Sequence, residues 1–89
     1  MNATVPAVCS IGCTDPWNAA GLGLDVRALA ECGVHPLTVV AGVSAQDRTG
    51  IGALHAVPAE MVVAQLRSLR AAGIAAYRIG ALLDVATVE

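Results

Sequence analysis

Apolar, β-rich segments alternate with segments of helical period along this chain, and that alternation constrains the fold more than any other feature. Val5 to Ile11 reads as a short strand, with Pro6 at its start because proline cannot donate to a ladder. Gly12 to Asn18 is a turn-rich loop marked by Asp15-Pro16. From about Ala19 to Cys32, Leu22, Val26 and Leu29 recur at helical spacing and Gly33 fits the position after the helix. Pro36 to Val43 is β-branched without strict alternation, the pattern of a strand buried on both faces. Ser44 to Gly52 reads as a polar, glycine-punctuated loop, with a short strand from Ala53 to Ala56. Pro58 opens a second helix with Val62, Leu66 and Leu69 on one face, and Gly73 stops it. A strand follows over Ala75 to Ile79, and Asp84 is placed to cap a third helix. The order β-α-β-(β)-α-β-(α) implies an α/β fold with a mostly parallel sheet and right-handed crossovers.

Size and composition narrow the reading. Eighty-nine residues allow a single domain. Hydrophobic residues make up 56% of them and charged residues 13%, which is too apolar for a disordered chain. It is also too apolar for a lone small domain, which has much surface to keep polar. Only one Trp, one Tyr and no Phe occur, so Ala, Val, Leu and Ile supply the apolar mass, as in parallel strands covered by helices. The expectation is a portion of a larger α/β body, or a chain that buries a face against a partner.

The net charge is −2, and the basic residues are five scattered arginines: Arg27, Arg48, Arg67, Arg70 and Arg78. No basic stripe with interleaved aromatics exists, which argues against nucleic-acid binding. No apolar run reaches the roughly 18 residues of a membrane span, and the first residues lack the positive start of a signal peptide. A cytoplasmic protein is expected. The three cysteines, Cys9, Cys13 and Cys32, are an odd number without metal-ligand spacing, and they read as small buried apolar residues.

In parallel α/β sheets, ligands gather outside the carboxyl ends of the strands. Three segments fall there: Gly12 to Asn18, Ser44 to Gly52, and Gly80 to Leu82. The first leads to Gly21 and Gly23 at a helix start, where backbone N–H groups could receive an anion. It is neither a dinucleotide fingerprint nor a phosphate-binding loop, and the chain has no lysine. Gln46 is a candidate recognition residue, since an amide donates and accepts at once and so suits an amide-like or aminopyrimidine edge. A glutamine that satisfies loop backbone is the competing reading. Asp25, the acid within the first helix, is either a contact to a ligand hydroxyl or a solvated helix residue. Asp15 reads as a turn residue, and Trp17 as a lid or a packing plug.

These residues, taken in order, resemble the N-terminal part of the hydroxymethylpyrimidine/phosphomethylpyrimidine kinase family of the ribokinase-like superfamily. The family's opening segment, Gly-Ser/Thr-Asp followed by Gly-Gly-Ala-Gly-Ile-Gln-Ala-Asp-Leu-Lys, is similar to Cys13-Thr14-Asp15 followed by Asn18-Ala19-Ala20-Gly21-Leu22-Gly23-Leu24-Asp25-Val26-Arg27. Its Thr/Val-Ala-Gln-Asn-Thr-x-Gly-Val segment is similar to Ser44-Ala45-Gln46-Asp47-Arg48-Thr49-Gly50-Ile51. Its Pro-x-Asp/Glu helix resembles Pro58 to Leu66, and its Lys-Ile/Thr-Gly-Met-Leu resembles Arg78 to Leu82.

The resemblance implies a Rossmann-like, ribokinase-type fold and a kinase of thiamine biosynthesis that phosphorylates a small aminopyrimidine with ATP and Mg²⁺. It implies that Gln46 reads the pyrimidine edge, that Asp25 and Ala20 lie at the substrate, and that Ser44 replaces a wall residue that is usually Val. Ala81 stands for a pocket Met, and Asn18-Ala19 for a Gly-Gly pair. The family's C-terminal anion hole, catalytic residue and most of its ATP site have no counterpart here. Residues 1–89 are therefore expected to be a partial domain without turnover by itself, completed by a missing C-terminal half or paired as a homodimer. Two alternatives stand beside it: a non-catalytic remnant that binds a small ligand or another chain, and a fragment similar to pyridoxal kinase.

Overall fold

The computed structural model describes residues 5–81. Among these residues four strands form one sheet in the order β3-β2-β1-β4. In chain order the elements are β1 (Ala7–Cys13), α1 (Gly21–Glu31), β2 (His35–Asp47), β3 (Gly50–Ala56), α2 (Ala59–Ser68) and β4 (Ile74–Ile79), with a 3₁₀ turn at Arg70–Ala72 before β4. β1 is central and runs parallel to both β2 and β4. The expected α/β fold, a mostly parallel sheet with flanking helices, is present. The segment proposed as a third helix at Asp84 lies outside the described residues.

The antiparallel member of this mostly parallel sheet comes at β2. Ser44–Asp47, expected as loop, continues the strand, and β3 returns antiparallel along it from Gly50. The sheet is therefore mixed. Polar side chains concealed this strand, because its ladder is made by backbone groups and the partner run is rich in glycine and small residues. Only Arg48 and Thr49 make the turn, and the Asp47 carboxylate accepts the Thr49 N–H at 2.8 Å, an Asx-type closure. β2 is also less enclosed than a strand buried on both faces: Thr38, Val43 and Ala45 are exposed.

The two helices cover opposite faces, which follows from the alternation of side chains along each strand. Cys9 and Ile11 of β1 and Val39 and Ala41 of β2 point to one face and pack with Val62 of α2. Leu37, Val57, Leu66, Leu69 and Ile74 extend that core. Ser10 points to the other face, where its hydroxyl donates to Asp25 of α1 at 2.6 Å. Gln65 fastens α2 to the sheet: its side-chain carbonyl accepts the Val40 N–H at 2.8 Å and its amide donates to the Val40 carbonyl at 2.9 Å. The amide thus serves backbone groups that β3, which begins its pairing at Gly42, does not reach. Pro58 takes the cap position, one residue before the expected first helical position. Gly73 turns out of the 3₁₀ segment at φ 64°, a left-handed conformation that glycine adopts without a Cβ penalty.

Candidate functional site

The carboxyl ends of β1, β2 and β4 meet α1 at one end of the sheet, the place where α/β folds gather ligands. A cleft of about 330 Å³ opens there, with Asp25, Ser44, Gln46 and Arg78 among its polar lining. Gly12 and Gly80 form its floor edge, and Ile51 and Leu54 of β3 its apolar wall. Gln46 also lines a neighbouring depression of about 430 Å³ with Asp15, Trp17, Ala20 and Thr49. Of the four residues expected from the sequence, Asp25, Ser44 and Gln46 thus share one cleft. Ala20 lies on the neighbouring one, with Gln46 common to both.

Gln46 owes its place to β2 rather than to a loop. Ser44 and Gln46 are two positions apart on an extended strand, so their side chains emerge on the same face. The Gln46 amide donates to the Ser44 hydroxyl at 2.7 Å. Ser44 is buried, and its hydroxyl donates to the Thr14 carbonyl at 2.6 Å. The Thr14 N–H donates to the Gly42 carbonyl at 3.0 Å, and the Ser44 N–H donates to the Thr14 hydroxyl at 3.4 Å. The loop after β1 is thereby pinned to β2.

Asp25 is buried within α1 and accepts two hydrogen bonds on one carboxylate oxygen: 2.6 Å from Ser10 and 2.7 Å from the Arg78 guanidinium. The solvated-helix reading of Asp25 is therefore set aside. Arg78 of β4 is half exposed and uses one of its guanidinium nitrogens here, so the cleft keeps further donors along this wall.

Asp15 does more than make a turn. It is buried, and its carboxylate accepts the backbone N–H groups of Trp17, Ala19 and Ala20, each at 3.0 Å. This carboxylate takes the place of a side-chain cap at Ala20, which has none of its own. The reading of this helix start as an anion receptor is corrected for these groups, since the N–H donors of Ala19 and Ala20 are already engaged by a carboxylate. Two glycines complete the loop. Gly21 has φ 62°, and a Cβ there would collide with the Cys13 carbonyl oxygen. A Cβ at Gly23 would collide with the Asn18 side chain. The bare backbone at Gly21 is thus required by its own loop, while at Gly23 the Asn18 side chain would have to give way.

Cys13 also lines the cleft. Burial pushes its thiol pKa up, as it does that of Cys9, and its Sγ lies 3.6 Å from the Ala81 carbonyl. A raised pKa leaves little thiolate at neutral pH, the opposite of an activated nucleophile. Cys32 is exposed, a correction to the reading of all three as buried. Asp15, Arg78 and Thr14 are the residues that sequence reasoning underrated. The signal for Asp15 was its position ahead of a helix start whose cap residue, Ala20, offers no side-chain acceptor.

Comparison with known proteins places this geometry in a family. The family model for phosphomethylpyrimidine kinase matches residues 15–89. The hydroxymethylpyrimidine/phosphomethylpyrimidine kinase of Mycobacterium bovis is 35% identical over 89 residues, covering 96% of this chain and 32% of that protein. The enzyme of the same name from Mycobacterium leprae is 36% identical over 62 residues, or 70% of this chain and 22% of the relative. This chain therefore spans about a third or less of these relatives' length. Among solved structures, phosphomethylpyrimidine kinase from Clostridium difficile superposes with a TM-score of 0.88 at 18% identity, over 93% of this chain and 36% of that one. Staphylococcus aureus pyridoxal kinase, in complex with AMP-PCP and pyridoxal, gives a TM-score of 0.82 at 20% identity, over 91% and 31% of the two chains. These superpositions establish the shared ribokinase-like architecture. With the family model matched from Asp15 onward and the relatives aligned along the chain, the protein belongs to the phosphomethylpyrimidine kinase family.

Proposed function

We propose that this chain carries the pyrimidine-recognising part of a hydroxymethylpyrimidine kinase and binds an aminopyrimidine in the cleft below Gln46. The observation that carries the reading is the convergence of one neutral amide, Gln46, and one buried carboxylate, Asp25, on a cleft with an apolar wall. An amide pairs with a ring nitrogen and an exocyclic amine, and a carboxylate accepts from a hydroxyl. Ser44 forms the wall beside Gln46, and Ala20 stands at the neighbouring rim. The names of the relatives supply the substrate class.

The phosphoryl donor of such a kinase is ATP with Mg²⁺, and phosphoryl transfer depends on a clamp for the phosphates. The described residues do not fit that part. They contain no group of three or more His, Cys, Asp or Glu able to hold a metal ion, and the N–H groups of Ala19 and Ala20 are taken by Asp15. The role proposed for this chain is therefore recognition of the substrate.

Titration calorimetry with hydroxymethylpyrimidine, and with pyridoxal as comparator, tests the reading on the native chain and on Gln46→Leu. The leucine keeps the approximate size and removes both polar groups. A ligand amine left unpaired costs about 1–3 kcal/mol, so binding weakens by roughly 5- to 150-fold. Equal binding by the two proteins with the fold intact makes Gln46 a bystander. Preference for pyridoxal moves the substrate class to the other branch of the fold.

A further inference from the structure

The nitrogen and oxygen of a glutamine amide are nearly alike in shape, so the direction of the amide has to be assigned from its partners. Here the partners leave one solution. The Thr14 carbonyl can only accept, and the Ser44 hydroxyl lies 2.6 Å from it. The single hydroxyl hydrogen of Ser44 is therefore committed to Thr14. What Ser44 offers Gln46 at 2.7 Å is then a lone pair, and only the NH₂ end of the amide can answer it. Thr14 cannot turn away to release the hydroxyl, because its N–H is bonded to the Gly42 carbonyl and its side chain to the Ser44 N–H. Ser44 itself is buried on a strand paired with β3.

We infer that Ser44, held by the Thr14 carbonyl, is a positioning residue that locks the Gln46 amide in one orientation, and that this lock makes the cleft select an amine-bearing heterocycle edge over its oxo counterpart. The inference rests on the functional reading above for the identity of the ligand, while the lock stands on this chain's own hydrogen bonds. One N–H of Gln46 is spent on Ser44. The carbonyl oxygen and the second N–H remain for the ligand, in a fixed order along the amide. The oxygen accepts from an exocyclic amine and the N–H donates to the ring nitrogen beside it. In the deaminated pyrimidine the amine is replaced by a carbonyl and the ring nitrogen carries hydrogen, so donor and acceptor are exchanged. A free glutamine answers that exchange by turning its amide through half a turn. A glutamine tied to Ser44 cannot turn without giving up its bond to the hydroxyl, which leaves a part-buried polar pair unmatched.

The experiment compares the native chain with Ser44→Ala, which removes the hydroxyl without adding bulk, and with Ser44→Thr, which keeps it. Affinities for hydroxymethylpyrimidine and for its deaminated oxo analogue are measured by calorimetry. The side-chain amide resonances of Gln46 are followed by ¹⁵N NMR in the absence of ligand. The native chain is expected to favour the amine form by roughly 5- to 150-fold, the range set by one unmatched hydrogen bond. In Ser44→Ala that preference falls to within about threefold, because the amide is free to turn, and Ser44→Thr restores it. The Gln46 amide protons, one displaced by its bond to Ser44 in the native chain, move toward free-amide positions in Ser44→Ala and return in Ser44→Thr. A Ser44→Ala protein that weakens both ligands equally and keeps the native preference overturns the selectivity, and unchanged Gln46 amide resonances overturn the lock. Failure of the native chain to bind either pyrimidine overturns the functional reading and the selectivity built on it. The NMR comparison still decides whether Ser44 holds Gln46.

Discussion

The Arg78 guanidinium lies 2.7 Å from the Asp25 carboxylate, a bond that joins β4 to α1 across 53 positions of chain. Its two ends are unequal. Asp25 also receives the fully buried Ser10 hydroxyl, whereas the Arg78 side chain is more than half exposed. Asp25→Ala strands a buried hydroxyl and is expected to lower stability by about 2–3 kcal/mol. Arg78→Ala removes a solvent-screened partner and should cost about 1 kcal/mol or less. Urea denaturation of both variants measures the difference, and equal losses would show that the ion pair, not the Ser10 bond, is the stabilising element.

Gly23 and Asn18 form a second coupled pair. Asn18 sits at φ 54° and its side chain occupies the space over the bare Gly23 backbone. Gly23→Ala is expected to destabilise by about 1–3 kcal/mol through overpacking, despite the better helix propensity of alanine. Asn18→Gly clears the space and also suits the left-handed backbone. The double variant should therefore recover most of the loss, with a coupling of at least about 1 kcal/mol in a double-mutant cycle. Simple additivity of the two changes counts against the contact.

The hairpin turn predicts a pH effect with a definite sign. Hydrogen bonds from the Thr49 hydroxyl, then from its backbone N–H, hold the Asp47 carboxyl below its ordinary value. A depressed folded-state pKa contributes stability above the unfolded pKa, and that contribution is lost as pH falls through the folded pKa. Thr49→Ala should raise the Asp47 pKa toward its ordinary value in an NMR titration and flatten the acid-side slope of hairpin stability. An unchanged titration would assign the shift to another cause.

Association is the fourth expectation. Tyr77 and Ile79 of β4 pair in register with Cys9 and Ile11, so they belong to the face that α2 covers. They remain 56% and 63% exposed, while α2 packs chiefly on β2. With β3 and β4 as edge strands among the described residues, the chain should associate with rising concentration and bind hydrophobic dyes. Ile79→Lys should reduce both with little change in melting temperature. A concentration-independent monomer in sedimentation would contradict this.

Periodicity made α1, α2, β1 and β4 legible, because each buries one stripe or a short apolar run. The tip of β2 was not legible, since Ser44, Gln46 and Asp47 are polar and their strand identity comes from backbone pairing with the glycine-rich Gly50-Ile51-Gly52 run just across the turn. The candidates Gln46, Asp25 and Ser44 were placed by the rule for strand carboxyl ends and by motif resemblance. Their partners Ser10, Thr14 and Arg78 were beyond reach, because hydrogen bonds that span the fold leave no local pattern. Asp15 lay between the two cases, its turn character visible and its three backbone bonds not.

Gly42 pairs with Cys13 on one side and with Ala56 on the other, and β2 changes allegiance at that residue. Before it the strand belongs to the parallel sheet; after it the strand belongs to the hairpin. No residue from Val43 to His55 is in ladder register with β1, so the hairpin is tied to the parallel sheet only at its base. A graft that swaps this span for one of different length or chemistry would change the lining that Ser44, Gln46, Ile51 and Leu54 give the cleft while leaving the register of β1 with its neighbours untouched.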